Sequence, residues 1–193
     1  MNEMPITGVV LAGGLGRRVG RADKGLLQFR GKPLIAHVIE RLAPQVDTLI
    51  INANQNRQVY AEFGYPVIAD AVAGFAGPLA GLHAALCAST TPLLVCAPCD
   101  SPFLPADLVA RLYAGMLEAE AQLAIPQSDG RPQLVFALCR REVLDSLTRY
   151  LDGGGHRVDT WYASLKVIEV PFPDQATFAN INTIEELERL QSE

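Results

Sequence analysis

Runs of apolar residues alternate along the chain with amphipathic stretches. The apolar runs are short and rich in Val, Ile and Leu, and they predict strands at residues 6–12, 47–52, 66–69, 92–97, 122–126, 132–138 and 165–170. The amphipathic stretches repeat apolar residues every three or four positions and predict helices at residues 34–42, 81–88, 107–117, 140–151 and 183–191. This alternation favours an α/β three-layer sandwich with a mostly parallel sheet.

The segment after the first predicted strand is the first candidate for a binding site, because open α/β sheets bind ligands at the carboxyl ends of their strands. About twenty residues separate this strand from the first helix, where about two to six are usual. The segment contains Gly13, Gly14, Gly16 and Gly20, whose backbone N–H groups can surround an anion. Six positive charges and one negative charge lie between positions 17 and 32, in a chain of net charge −5. This concentration indicates a polyphosphate site.

Two familiar glycine motifs do not fit this segment. A dinucleotide-binding fingerprint requires glycine at the position of Val19. A P-loop requires Ser or Thr after Gly31-Lys32, where Pro33 follows instead. On glycines and charges alone, a solvated surface loop remains the alternative.

Composition narrows the class of protein. The 193 residues fit one domain, residues 1–193, and 49% of them are hydrophobic. The acidic net charge argues against a broad nucleic-acid-binding face. No apolar run reaches the roughly 18 residues of a membrane span, and the amino terminus shows no basic and apolar targeting signal. We therefore expect a cytoplasmic protein that binds neither nucleic acid nor a membrane.

The segment Cys96-Ala97-Pro98-Cys99 has the spacing of a redox pair. A redox cysteine is usually at the exposed start of a helix, where its thiolate is stabilised. Here the first cysteine ends a predicted buried strand, and Pro102 delays the next helix. We expect these cysteines to be packing residues, with a thiol redox site as the alternative.

The complete pattern is more specific than its parts. Residues 11–20, Asp23-Lys24 and residues 31–34 together resemble the signature of the nucleotidyltransferases with a Rossmann-like sheet. Within that group, Asp23-Lys24-Gly25-Leu26 is most similar to the molybdenum cofactor guanylyltransferases. The resemblance continues through Asp70 and residues 51–54, 77–81, 98–102 and 180–183, so it covers nearly the whole chain.

The resemblance implies a sheet of the nucleotidyltransferase type and transfer of GMP from GTP to the terminal phosphate of molybdopterin, with Mg²⁺ as cofactor. The acceptor is molybdopterin or its molybdenum-loaded form. Protein partners would be other cofactor-biosynthesis proteins and cofactor-accepting enzymes. The implied nucleotide-binding residues are Leu11, Ala12, Gly13, Gly14, Lys24, Asn52, Asp70 and Asp100.

Asp100, Lys24 and Arg18 are the candidate catalytic residues. Asp100 follows a strand in a stiff segment between prolines, and a rigid carboxylate there suits a magnesium ion. Lys24 can neutralise charge on a leaving pyrophosphate, and Arg18 can grip the same group with two hydrogen bonds. Which of Arg17, Arg18 and Arg21 contacts phosphate stays open, and all three can be solvated.

Asp70 and Asn52 are the candidates for reading the base. A carboxylate at Asp70 can accept both N1–H and the 2-amino group of guanine, a donor pair that adenine lacks. A turn or helix cap is the alternative for Asp70. Asn52 contacts base or ribose, or else caps the turn through Asn54 and Asn56.

Three residues are candidates for the acceptor site. Asn180 and Asn182 share a face if their segment is extended, and the resemblance implies that they hold the acceptor near the reacting phosphates. Arg157 follows the triglycine at 153–155 and is a natural phosphate contact. Thr183 and Glu186 form a capping box for the last helix.

Other functions remain open within this pattern. Close alternatives are a cytidylyltransferase for the same cofactor and a sugar-phosphate nucleotidyltransferase. A non-catalytic GTP- or pterin-binding carrier is the alternative from another class.

Overall fold

The computed structural model describes residues 4–13, 23–71, 77–181 and 183–192. Its strands are β1 (Ile6–Leu11), β2 (Gln28–Phe29), β3 (Lys32–Pro33), β4 (Thr48–Asn52), β5 (Val67–Ile68), β6 (Leu93–Pro98), β7 (Leu123–Ser128), β8 (Arg131–Pro132), β9 (Ala137–Arg140) and β10 (Val167–Pro171). Its α-helices are α1 (Leu34–Leu42), α2 (Arg57–Ala61), α3 (Pro78–Ala88), α4 (Leu108–Glu118), α5 (Leu144–Asp152), α6 (Val158–Tyr162) and α7 (Ile184–Ser192).

One 8-stranded sheet organises these elements, in the order β10-β7-β9-β6-β1-β4-β5, with β8 paired to β7. β1 lies in the middle and pairs in parallel with both β4 and β6. β9 runs antiparallel to its neighbours β6 and β7, and β8 runs antiparallel to β7. β10 and β7 are also parallel, as are β4 and β5, so the sheet is mostly parallel as predicted.

Successive strand residues face opposite sides of the sheet and build two apolar cores. Val10 packs with the helices α1 and α4 on one side, whereas Val9 packs with α3, α5 and α6 on the other. Both valines are fully buried. Alternation along a strand buried on both faces explains the continuous apolar runs in the sequence. The predicted three-layer sandwich is confirmed.

A third apolar cluster packs the carboxyl-terminal helix α7 against the β2–β3 hairpin. The hairpin β2–β3 turns through Arg30 and Gly31, which both have positive φ, as its two-residue connection requires. Phe29 of this hairpin packs with Ile181 and with Leu187 of α7. The segment around residue 181 is thereby brought against the carboxyl end of the sheet.

Several observed elements differ from the predicted ones. The helix 34–42 has the predicted bounds, whereas α3 begins at Pro78 rather than at residue 81. The short helices α2 and α6 were not predicted, because five residues give too little periodicity to read. The predicted strand 132–138 is not continuous: its ends lie in β8 and β9, a tight hairpin places β8 beside β7, and the chain leaves the sheet between β8 and β9.

Within the described ranges, none of the helices combines the length and the apolar character that spanning a membrane requires.

Candidate active site

The parallel register brings three strand ends together at one edge of the sheet. Leu11 lies opposite Asn52 of β4 on one side and opposite Pro98 of β6 on the other. Backbone hydrogen bonds continue this pairing beyond the strands, from the Ala12 N–H to the Asn52 carbonyl at 2.8 Å and from the Cys99 N–H to the Leu11 carbonyl at 3.1 Å. The segments that follow β1, β4 and β6 therefore meet at the carboxyl edge, where the sequence predicted the site.

Lys24 and Asp100 form an ion pair at this edge, with 3.4 Å between Nζ and Oδ2. Their side chains are only 21% and 13% exposed. Burial raises the pKa of the Asp100 carboxyl, and the nearby Lys24 ammonium opposes that rise. The pair thus presents a mostly desolvated carboxylate beside a positive charge, which suits the binding of a metal ion and of an anionic ligand.

A hydrogen-bond network joins the ends of β4 and β5. The Asn52 Nδ2 donates to Asp70 Oδ1 at 2.9 Å, and the Asn54 Nδ2 donates to Asp70 Oδ2 at 2.8 Å. The Asp70 backbone N–H in turn donates to Asn54 Oδ1 at 2.9 Å. The Asn52 amide nitrogen thus binds Asp70. Each carboxylate oxygen of Asp70 has one amide partner and retains a further lone pair for a ligand.

Asn54, which the sequence placed only in a turn, is a further candidate site residue. Its Nδ2 also lies 3.4 Å from the carbonyl oxygen of Gly13, so it links the glycine-rich segment to Asp70. The sequence did contain a sign of this role. Asn52 and Asn54 alternate at the end of one strand, and Asp70 follows the next strand along the chain.

Two glycines allow close packing around Asn52. A Cβ on Gly13 would lie 3.1 Å from Asn52 Oδ1 and 2.9 Å from Asn54 Nδ2. A Cβ on Gly81, in the first turns of α3, would lie 2.5 Å from Asn52 Oδ1 and 2.8 Å from Leu11 Cδ2. The absence of side chains at both positions is what lets α3 and the glycine segment approach the strand ends.

Asn180 is held next to Asp100. The hydroxyl of the fully buried Ser101 donates to Asn180 Oδ1, and the Ile181 N–H donates to the Asp100 carbonyl at 2.9 Å. The structure therefore brings the predicted acceptor residue Asn180 to the Lys24–Asp100 pair. Thr183 has its predicted capping role, since its Oγ1 accepts from the Glu186 N–H at 3.1 Å.

Arg157 is exposed and is not in contact with the Lys24–Asp100 pair. Its guanidinium binds both carboxylate oxygens of Asp159, at 3.1 and 2.6 Å. That guanidinium, with a backbone N–H from Thr160, lowers the pKa of the Asp159 carboxyl to about 2. The Arg141 N–H, just before α5, donates to the Pro92 carbonyl at 2.8 Å, so the chain enters α5 from the amino edge of the sheet.

Gly14, Arg17, Arg18, Arg21 and Asn182 lie outside the described residues. Their predicted roles therefore stay predictions. In the part of the chain that the structure describes, no group of three or more His, Cys, Asp or Glu side chains is placed to hold a metal ion. A cation at this edge would then complete its coordination with ligand oxygens or water.

Cys96 and Cys99 are both buried and are not joined in a disulfide. Burial raises the pKa of the Cys96 thiol to about 12 and that of the Cys99 thiol well above its ordinary value. A reactive cysteine needs the opposite, an exposed thiol with a lowered pKa. The packing interpretation of this segment fits the structure, and the redox alternative does not.

The comparisons with known proteins agree on one family. Residues 8–167 match the model of the MobA-like NTP transferase domain. The chain is 51% identical over 193 residues to a molybdenum cofactor guanylyltransferase of Cupriavidus metallidurans, covering 97% of this chain and 95% of that protein. It is 55% identical over 188 residues to one from Cupriavidus taiwanensis, covering 94% of each. A crystal structure of molybdopterin-guanine dinucleotide biosynthesis protein A from Archaeoglobus fulgidus superposes with a TM-score of 0.81 and 27% identity, covering 96% of this chain and 97% of that one.

The difference in cysteine burial gives a testable prediction. With a disulfide-exchange reagent at neutral pH, we expect the native protein to react rapidly at the exposed Cys87 and slowly at Cys96, Cys99 and Cys139, which are buried. Peptide mapping by mass spectrometry identifies the modified residue, and Cys87→Ser serves as the control that abolishes the rapid phase. Rapid modification of Cys96 or Cys99 in the native protein would instead support a redox site.

Proposed function

The chain belongs to the MobA-like NTP transferase family, and from that premise we propose that it transfers GMP from GTP to the terminal phosphate of molybdopterin. The reaction releases pyrophosphate and forms the molybdopterin guanine dinucleotide cofactor. The observation that carries this proposal is the Lys24–Asp100 pair beside the Asn52–Asn54–Asp70 network, at the edge where three strands end. One part suits the triphosphate and the other suits a base.

The residues present suit a magnesium ion. Asp100 offers a hard carboxylate oxygen, mostly buried at the carboxyl edge, and Mg²⁺ commonly takes one or two carboxylates together with substrate phosphates. Mg²⁺ would be held by Asp100 and, when bound, would draw negative charge from the triphosphate. Lys24 lies within 3.4 Å of the same carboxylate, so its charge acts on the same region.

The transfer is an in-line displacement at the α-phosphorus of GTP. An oxygen of the acceptor phosphate forms the new P–O bond, and the bond to the bridging oxygen of pyrophosphate breaks with its electron pair going to the leaving group. A phosphate monoester has its second pKa near about 6 and is largely ionised at neutral pH, so it needs no general base. The contribution of the protein is positioning and charge neutralisation by Lys24 and the glycine segment.

The base is read by Asp70 in this proposal. N1–H and the 2-amino group of guanine are adjacent donors, and the two oxygens of Asp70 are adjacent acceptors. Asn52 and Asn54 support this role because their amides fix the plane of the carboxylate through one hydrogen bond to each oxygen. A fixed carboxylate binds a matching pair of donors more tightly than a freely rotating one, since less rotamer freedom is lost on binding.

The acceptor side rests on Asn180, Asn182 and Arg157. Asn180 is supported by its hydrogen bond with Ser101 beside Asp100. Arg157 would have to exchange its pair with Asp159 for a phosphate, and that pair is exposed and screened by solvent. The protein partners, other cofactor-biosynthesis proteins and cofactor-accepting enzymes, stay a prediction from the family.

Pyrophosphate release by the purified protein tests the function and the base preference together. With molybdopterin and Mg²⁺, we expect GTP to exceed CTP, UTP and ATP in kcat/KM by at least about tenfold, the factor that corresponds to about 1.4 kcal/mol. A tenfold preference for CTP would show that Asp70 does not read guanine and that the chain is a cytidylyltransferase. Tight GTP binding without pyrophosphate release would favour a carrier.

Asp100→Asn separates catalysis from stability. We expect kcat/KM to fall by about 100-fold or more, because the amide is a poor magnesium ligand. Since burial raises the pKa of Asp100, its ionised form destabilises the folded state at neutral pH; this cost decreases as the pH falls below the raised pKa and is absent below the ordinary pKa of an unfolded aspartate. The neutral amide should therefore leave the free energy of unfolding unchanged or slightly higher.

The control for this variant is Asp107→Asn, which changes an exposed aspartate at the start of α4. Its activity should stay within about twofold of the wild type, as is usual for a surface substitution away from a site. Near-normal turnover by Asp100→Asn would contradict the metal role. If Asp100→Asn unfolded at a clearly lower urea concentration than the wild type at the same pH, the electrostatic argument would be contradicted.

A further inference from the structure

A buried tyrosine holds the residue directly before Lys24. The Tyr60 hydroxyl of α2 donates to Asp23 Oδ1, and the Asn56 Nδ2 donates to Asp23 Oδ2 at 3.0 Å. Tyr60 is fully buried, with 0% exposure. Both oxygens of the Asp23 carboxylate are therefore tied to a segment that follows β4, far from Asp23 in sequence.

The backbone on the other side of Lys24 is held as well. Gly25 is buried so closely that a Cβ on it would lie 2.6 Å from the Tyr60 hydroxyl and 3.2 Å from Cys99 Sγ. The Leu26 N–H donates to the Asp23 carbonyl at 3.1 Å and closes a single 3-10 turn. Lys24 thus projects from a turn that packs against both Tyr60 and Cys99, the residue adjacent to Asp100.

The tyrosine is suited to be a permanent donor. Burial raises the pKa of the Tyr60 hydroxyl, and the carboxylate of Asp23 adds to that rise, so the hydroxyl stays protonated. Phenylalanine would keep the ring packing against Phe63 and remove only the oxygen that binds Asp23. The hydrogen bond can therefore be tested with little change in the core.

We infer that Tyr60 is a positioning residue, which acts through Asp23 to fix the turn that carries Lys24 over Asp100. A lysine side chain is long and flexible, so the location of its ammonium depends on how firmly its backbone is held. Loss of the Tyr60 hydroxyl frees one oxygen of Asp23 and loosens the turn. This inference rests on the proposed function, in which Lys24 stabilises the charge on the leaving pyrophosphate.

The kinetic test is a double-mutant cycle between Tyr60→Phe and Lys24→Ala. Each reaction is quenched at set times and its product is quantified, so that slow rates can be measured. At saturating GTP and molybdopterin, we expect Tyr60→Phe to lower kcat about tenfold in the wild-type chain and less than about twofold in the Lys24→Ala chain. An equal factor in both chains would overturn the inference, because a general loss of structure acts independently of Lys24. Unchanged kcat in the single variant would also overturn it.

Tyr113→Phe is the matched control, since its hydroxyl accepts only a long 3.5 Å hydrogen bond from the Met4 N–H, at the opposite edge of the sheet. Its kcat should equal that of the wild type. Asp23→Asn tests the acceptor: the amide keeps one oxygen for the tyrosine, so its loss of kcat should be smaller than that of Asp23→Ala. Equal losses in these two variants would contradict a role of the hydrogen bond.

A second measurement does not depend on turnover. The side chain of Lys24 is 21% exposed and that of Lys32 is 41% exposed, so an acylating reagent labels the two lysines at different rates in the same protein. In Tyr60→Phe, we expect the labelling rate of Lys24 relative to Lys32 to rise at least about threefold, since rates follow the population of open states. If the wild type showed no turnover, the proposed function would fail, whereas an unchanged labelling ratio would overturn the positioning role by itself.

Discussion

The parallel pairing of β1 with β4 and β6 is the constraint on which the site depends. Because all three strands run in the same direction and in a fixed register, Leu11, Asn52 and Pro98 end at one edge. A shift of one residue would move every side chain of a strand to the opposite core, where it would not fit its new neighbours, so the packing of the two cores fixes the register and thereby the site. The chemistry is in the segments after the strands, but their positions are set by burial.

Electrostatics at that edge divides into two parts with different burial. The Lys24–Asp100 pair is mostly desolvated, so its charges interact strongly with anything that enters. Among the described residues, the side-chain partners of the Asp70 carboxylate are two amides, which are neutral and leave its charge for donors on a base. This contrast supports the proposal that one edge of the sheet binds the triphosphate in one half and the base in the other.

Much of this arrangement could be predicted from the sequence. The strongly apolar runs predicted the fold class, and the glycine- and arginine-rich segment after β1 predicted the location of the site at the carboxyl edge. The reversed direction of β9 could not be read, since a buried strand has the same composition in either direction. The contact between Asp23 and Tyr60 could not be assigned either, because it joins residues distant in sequence.

The central claim is that one edge of the sheet binds the triphosphate at Lys24 and Asp100 and the guanine at Asp70. A crystal structure of the protein with a GTP analogue that cannot transfer its nucleotidyl group, grown with Mn²⁺ in place of Mg²⁺, tests it most directly. We predict anomalous density for the metal within bonding distance of Asp100, phosphates at Gly13 and Lys24, and the guanine edge on Asp70. A base bound away from Asp70, or a metal without Asp100 among its ligands, would contradict the account.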